Sequence, residues 1–149
     1  MLPFKRIVCP VDFSPASQHA VSEAVAIAKV FQAEILLVHV LPVLPAAPSD
    51  PNFVFQVPEY ERALRADAER QLARLAAGVA DEGIAARTAV GHGDAGSEIV
   101  RLAKEDVADL IVIATHGMTG WRHVMFGSVA EKVVRLAGRP VLTIPALRD

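Results

Sequence analysis

Seven consecutive residues, Ile35-Leu36-Leu37-Val38-His39-Val40-Leu41, are apolar but for one histidine. A strand wet on one face alternates apolar and polar side chains. An unbroken run needs cover on both faces, the condition of a strand in a parallel sheet layered between helices. The covering layers are aliphatic: hydrophobic residues make up 52% of the 149 and aromatics only 5%. A chain of this length buries roughly 70% of its unfolded surface, enough for one domain over residues 1–149.

Residues 4–11 (FKRIVCPV) carry β-branched Ile7, Val8 and Val11 and read as a strand that meets a turn at Asp12. Ser14 is placed to cap a helix, and Pro15 suits its first position, where a missing N–H costs nothing. Ala20, Val21, Ala24, Val25, Ala28 and Phe31 give that helix one apolar face. Five of the ten prolines, at 42, 45, 48, 51 and 58, mark residues 42–58 as a long loop or lid. An amphipathic helix follows on Tyr60, Leu64, Ala68, Leu72, Leu75 and Val79, ending near Gly83, with Glu61 and Arg65 spaced to pair. Strands at 84–90, 110–114 and 141–144 alternate with helices capped by Asp94 and beginning near Ser128.

This order predicts an α/β fold: a doubly wound, five-stranded parallel sheet, strand order 3-2-1-4-5, with helices on both faces. Such sheets bind ligands beyond the carboxyl ends of their strands, where the winding reverses, here between strands one and four. The residues to weigh are therefore those near 10–14 and 114–128. Asp12 ends strand one, where a carboxylate either accepts hydrogen bonds from a ligand or closes its own turn. The segment ATHGMTGWRHVMFGS brings Gly117, Gly120 and Gly127 to a helix start at Ser128. It reads either as a phosphate cradle of backbone amides or as a plain β-to-α connection. On the first reading, Gly127→Val abolishes binding and leaves the fold intact.

Other chemistries fit less well. No Gly-Lys-Ser/Thr closes the loop, which disfavours a Walker A site. Gly91-His92-Gly93-Asp94-Ala95-Gly96 spells GxGxxG but belongs to an edge strand, so a tight turn with an Asp cap is the better account. Asp12 lacks the acidic neighbours of a Mg²⁺-binding phosphoacceptor. His116 and His123 lack metal-ligand spacing, His39 reads as a hydrogen-bonded core residue, and Ser128 has no nucleophile elbow. No catalytic or metal-ligating residue is assigned. Fifteen basic against seventeen acidic residues, net −2, disfavour nucleic acid as a partner. The apolar stretch Ile35–Pro48 is too short for a bilayer helix, so no membrane partner is expected. The lone cysteine, Cys9, with no signal-peptide core near Lys5 and Arg6, fits a cytoplasmic protein.

The pieces KRIVCPVDFSPAS, AEILLVHVLP, GDAGSEIVRLAKEDVADLIVIATHG and GSVAEKVVRLAGRPVLTI resemble the universal stress protein family almost from end to end. ATP-binding members carry Gly, two residues, Gly, nine residues, Gly and Ser/Thr. Here that frame falls on Ala114, Gly117, Gly127 and Ser128, alanine standing for the first glycine. The resemblance implies an adenine nucleotide alpha hydrolase-like fold with ATP, alone or with Mg²⁺, as ligand. Pro10, Val11 and Asp12 would meet adenosine, Val40 the adenine, and Ile113 and Ala114 the ribose side. Gly117, Gly127, Ser128 and Val129 would surround the phosphates. It also implies a homodimer through Val141, Leu142, Thr143 and Ile144, and a regulatory or stress-response role. A slow ATPase or phosphotransferase, or a nucleotide-free dimeric interaction protein of the same fold, are the alternatives.

Overall fold

A computed structural model of the chain describes residues 2–44, 51–116 and 127–146, with residues 51–56 given by backbone alone. Strands β1 (Arg6–Pro10), β2 (Glu34–Leu41), β3 (Ala86–His92), β4 (Leu110–Ala114) and β5 (Val141–Ile144) form one parallel sheet in the order β3-β2-β1-β4-β5. Helices α1 (Pro15–Phe31) and α2 (Pro51–Asp81) cover one face, α3 (Ala95–Glu105) and α4 (Ser128–Leu136) the other. The expected strand order and two-faced cover are both present.

Alternation along each strand divides the core in two. Ile7, Cys9, Ile35, Leu37, Leu110 and Val112 pack with Ala20, Ala24, Ala28 and Leu72 of α1 and α2. Val8, Leu36, Val38, Ile111 and Ile113 pack with Ile99, Ala103, Ala130 and Val133 of α3 and α4. The run at 35–41 is apolar because both its faces are spoken for. Small residues on α1 let it lie close to the sheet, so aliphatic side chains suffice to fill the space.

The proline-rich segment differs from expectation. Residues 45–50 lie outside the described residues, but 51–58 are helical, and α2 starts nine residues before Tyr60. Pro51 occupies the first helical position, where no N–H is needed. Pro58 lies inside the helix, is exposed, and removes one backbone bond from a 31-residue element anchored further along by Ala68, Leu72 and Val79. Proline number was a poorer guide than proline spacing. On the same helix Arg65 pairs with Glu69 at 3.2 Å, the next turn on from Glu61. β3 runs two residues later than expected, to His92, with buried Ile84 packed just before it.

Candidate functional site at the carboxyl ends of β1, β2 and β4

β1 lies between β2 and β4, all three parallel, so their carboxyl ends share one edge of the sheet. From β1 the chain passes into α1 on one face, and from β4 it leads to α4 on the other. The winding reverses between these strands, as the sequence implies. Nine of the ten expected site residues are brought to this edge: Pro10, Val11 and Asp12 at β1, Val40 at β2, Ile113 and Ala114 at β4, and Gly127, Ser128 and Val129 at the start of α4. The tenth, Gly117, lies outside the described residues.

Asp12 closes its own turn. One carboxylate oxygen, Oδ1, accepts from the Ser14 N–H at 3.0 Å and from the Ser14 hydroxyl. The Ser14 Oγ in turn accepts from the Ser17 N–H at 3.2 Å, capping α1, while the Ser17 hydroxyl donates to the Ser14 carbonyl. The carboxylate is thus fixed by the α1 cap at a partly buried position. Phe13, within the turn, takes φ 64°, the left-handed region a bulky side chain rarely adopts.

The helix starts differ in a way that matters for an anion. Ser14 caps α1 and Asp94 caps α3, its Oδ2 accepting from the Ser97 N–H at 2.9 Å. Gly127 leads into α4, and among the described residues no side chain caps it. Its own N–H donates to the Thr115 carbonyl at 2.6 Å, tying α4 to the end of β4. The first-turn amides beyond it, from Ser128 onward, have no intrahelical acceptors, and Ser128 and Val129 are exposed. The dipole of α4 adds partial positive charge at that point.

A Cβ on Gly127 would stand 2.9 Å from the Thr115 carbonyl oxygen, a backbone atom that cannot swing aside. The expectation that Gly127→Val spares the fold is therefore corrected: a valine there would push α4 off β4. Ala114 is less demanding. It sits in regular strand pairing with Ile144, has no left-handed φ, and packs against the α1-side cluster. Ile113 points to the opposite face and is buried.

His39 is hydrogen-bonded as the sequence implies, but its partners, and a second contact at this edge, were not legible there. His39 packs on Phe13, with Nδ1 2.8 Å from the Val11 carbonyl. Lys132 crosses from α4 to Asp94 at 2.7 Å, its stem lying where a Cβ on Gly96 would collide at 2.8 Å. Only the strand register could have signalled the first, and only the helix pairing the second. The GxGxxG segment carries the Asp94 cap expected of it.

Cys9 is fully buried, and burial pushes its thiol up to about 12, so it offers no thiolate chemistry. Among the described residues no cluster of three metal-ligating side chains occurs, and no helix is long and apolar enough to cross a membrane. A groove of about 760 Å³ opens at the opposite end of the sheet, lined by Lys5, Arg6, Lys29, Glu34 and Glu82. Helix carboxyl ends meet there, and Arg6–Glu34 and Lys29–Glu82 already pair across it, so it offers an anion little.

The universal stress protein family pattern matches residues 3–145. A universal stress protein of Methanocaldococcus jannaschii is 33% identical over 143 residues, covering 95% of this chain and 82% of that protein. The structure of the universal stress protein UspA from Lactobacillus plantarum superposes with a TM-score of 0.84 at 29% identity, over 97% of this chain and 99% of that one. More distant structures of the same fold include a universal stress protein in complex with cAMP (24% identical, TM-score 0.70) and one from Arabidopsis thaliana with AMP bound (20% identical, TM-score 0.69). They cover 95% and 97% of this chain, and 97% and 94% of their own. With sheet order, switch point and sequence in agreement, the chain belongs to the universal stress protein family.

Proposed function

We propose that this protein binds ATP in the crevice beyond β1 and β4 and acts in the cytoplasm as a regulatory stress-response module. The observation that carries the reading is the start of α4. Among the described residues its amides from Ser128 onward have no side-chain cap, and they stand at the winding reversal, at the sheet edge that also carries the turn fixing Asp12. Backbone donors and a helix dipole hold a phosphate chain without a lysine. The adenine nucleotides bound by relatives of the same fold support the ligand class. Asp12 and Val40, with the chain at Pro10 and Val11, then meet the nucleoside, the carboxyl end of β4 at Ile113 and Ala114 the ribose side, and Ser128 and Val129 the phosphates, joined by Gly117. Gly127 serves by its lack of a side chain, since its N–H is spent on Thr115.

Titration calorimetry with ATP, with and without Mg²⁺, tests this directly. A hundredfold excess over Kd adds about 2.7 kcal/mol of stability, or roughly 5–10 °C in thermal midpoint. No heat and no shift at millimolar ATP would remove the reading. Phosphate release well above the no-enzyme rate would favour a slow ATPase or phosphotransferase instead.

The homodimer belongs to the same proposal. β5 is an edge strand, Leu142 on it is 39% exposed, and Val134 and Leu136 of neighbouring α4 are 48% and 44% exposed. An unpaired apolar edge favours pairing with a second copy. Leu142→Lys is expected to shift the sedimenting species from dimer to monomer. A wild-type chain that sediments as a monomer at tens of micromolar would remove this part. A dimer that binds no nucleotide would leave the interaction-protein alternative standing.

A further inference from the structure

The β1–β2 register brings Pro10 opposite Val38, and the Val11 N–H donates to the Val38 carbonyl at 2.8 Å. The Val11 carbonyl in turn meets His39, whose Nδ1 lies 2.8 Å away. A carbonyl can only accept, so Nδ1 carries the hydrogen whatever the charge of the ring. The same ring lies against Phe13, centroids 4.6 Å apart and planes at 32°. His39 thereby grips residues 11 and 13, on either side of Asp12. Phe13 is the residue held at φ 64°, and such a conformation persists only where its surroundings over-determine it.

We propose that His39 is a positioning residue for the crevice: its bond to the Val11 carbonyl and its packing on Phe13 hold the strained turn in the conformation that places the Asp12 carboxylate. The effect on ligand affinity rests on the nucleotide-binding reading above, whereas the effect on the turn does not. Because Nδ1 carries the hydrogen, the neutral ring is the Nδ1–H tautomer, which solution peptides populate less than the Nε2–H form.

Two substitutions separate the contacts. His39→Asn keeps an N–H donor the same number of bonds from the backbone, and His39→Phe keeps a ring without the donor. On the wild-type protein, ¹⁵N spectra of the neutral His39 ring are expected to show a protonated Nδ1. In His39→Phe the amide resonances of residues 12–14 move and the Kd for ATP rises about tenfold or more. In His39→Asn, which keeps the donor and loses the packing on Phe13, those resonances move less than in His39→Phe, and the Kd rises by no more than about threefold. An Nε2–H tautomer would overturn the proposal even if His39→Phe fails to fold. So would a folded His39→Phe with wild-type resonances at residues 12–14. If the wild type binds no ATP, the nucleotide reading fails, and the tautomer and turn resonances still decide the role of His39.

Discussion

Gly127 and Thr115 approach so closely that the glycine N–H and its missing Cβ contend for the same oxygen: the N–H donates to the Thr115 carbonyl at 2.6 Å, and a Cβ would lie 2.9 Å from it. Glycine at this position is a packing requirement of the β4–α4 junction. Gly127→Ala is expected to cost about 1–3 kcal/mol, as overpacking against an unyielding neighbour does. That corresponds to roughly 2–4 °C of thermal midpoint per kcal/mol in a chain of this size. An unchanged midpoint would show that the junction gives way freely.

At the amino ends of the strands, Arg87 bridges Glu34 at 3.1 Å and Asp106 at 2.6 Å, and Glu34 also accepts from Arg6 at 3.2 Å. The Asp106 side chain is only 10% exposed, and among the described residues its buried Oδ2 has no hydrogen-bond partner. Arg87→Leu would leave that carboxylate uncompensated, a loss of roughly 1–3 kcal/mol once the half-exposed position of Arg87 is allowed for. In Arg87→Leu with Asp106→Leu most of that loss should return. Urea denaturation of the singles and the double checks the cycle, and purely additive losses would show that the two residues are not coupled.

Ala114 stands where the ATP-binding members of the family carry glycine. Its strand is regular, and its methyl packs against the α1-side cluster, so alanine is unstrained there. Ala114→Gly should therefore lower stability by about 0.5–1 kcal/mol, the usual entropic cost of glycine in a strand. A rise in thermal midpoint would instead reveal crowding that the methyl creates.

The sequence made the frame legible because its signals are local. An apolar run covered on both faces, β-branched clusters and the Ser14 and Asp94 caps each act within a few residues. β4 and β5 accordingly fall at their expected bounds. The start of α2 was illegible because a proline's effect depends on its place in a helix, which composition does not record. The place of the candidate site was legible: Asp12 and the start of α4 follow from the winding of the sheet alone. Its fine geometry was not, since His39 meets Val11 across 28 residues and Lys132 meets Asp94 across 38. Such contacts exist only once strand register and helix packing are set.

The α3–α4 seam should make the fold sensitive to acid in a definable window. The Asp94 carboxyl is held far below its ordinary value, first by the hydrogen bond from Lys132 and then by those from Ser97. The Glu98 carboxyl is also lowered, chiefly by Arg101, which it meets at 2.8 Å. A carboxyl depressed in the folded state contributes stability above its unfolded pKa and loses it as pH falls towards its folded one. Thermal stability should thus be level in this contribution from pH 7 to about 5 and decline below about 4.5. Asp94→Asn isolates the effect, because asparagine still caps the helix while carrying no charge for Lys132. The variant should melt below wild type at pH 7 and approach it near pH 2, with a gap that narrows in high salt because the pair is exposed. A gap that stays constant from pH 7 to pH 2 would place the loss in the cap rather than in the ion pair.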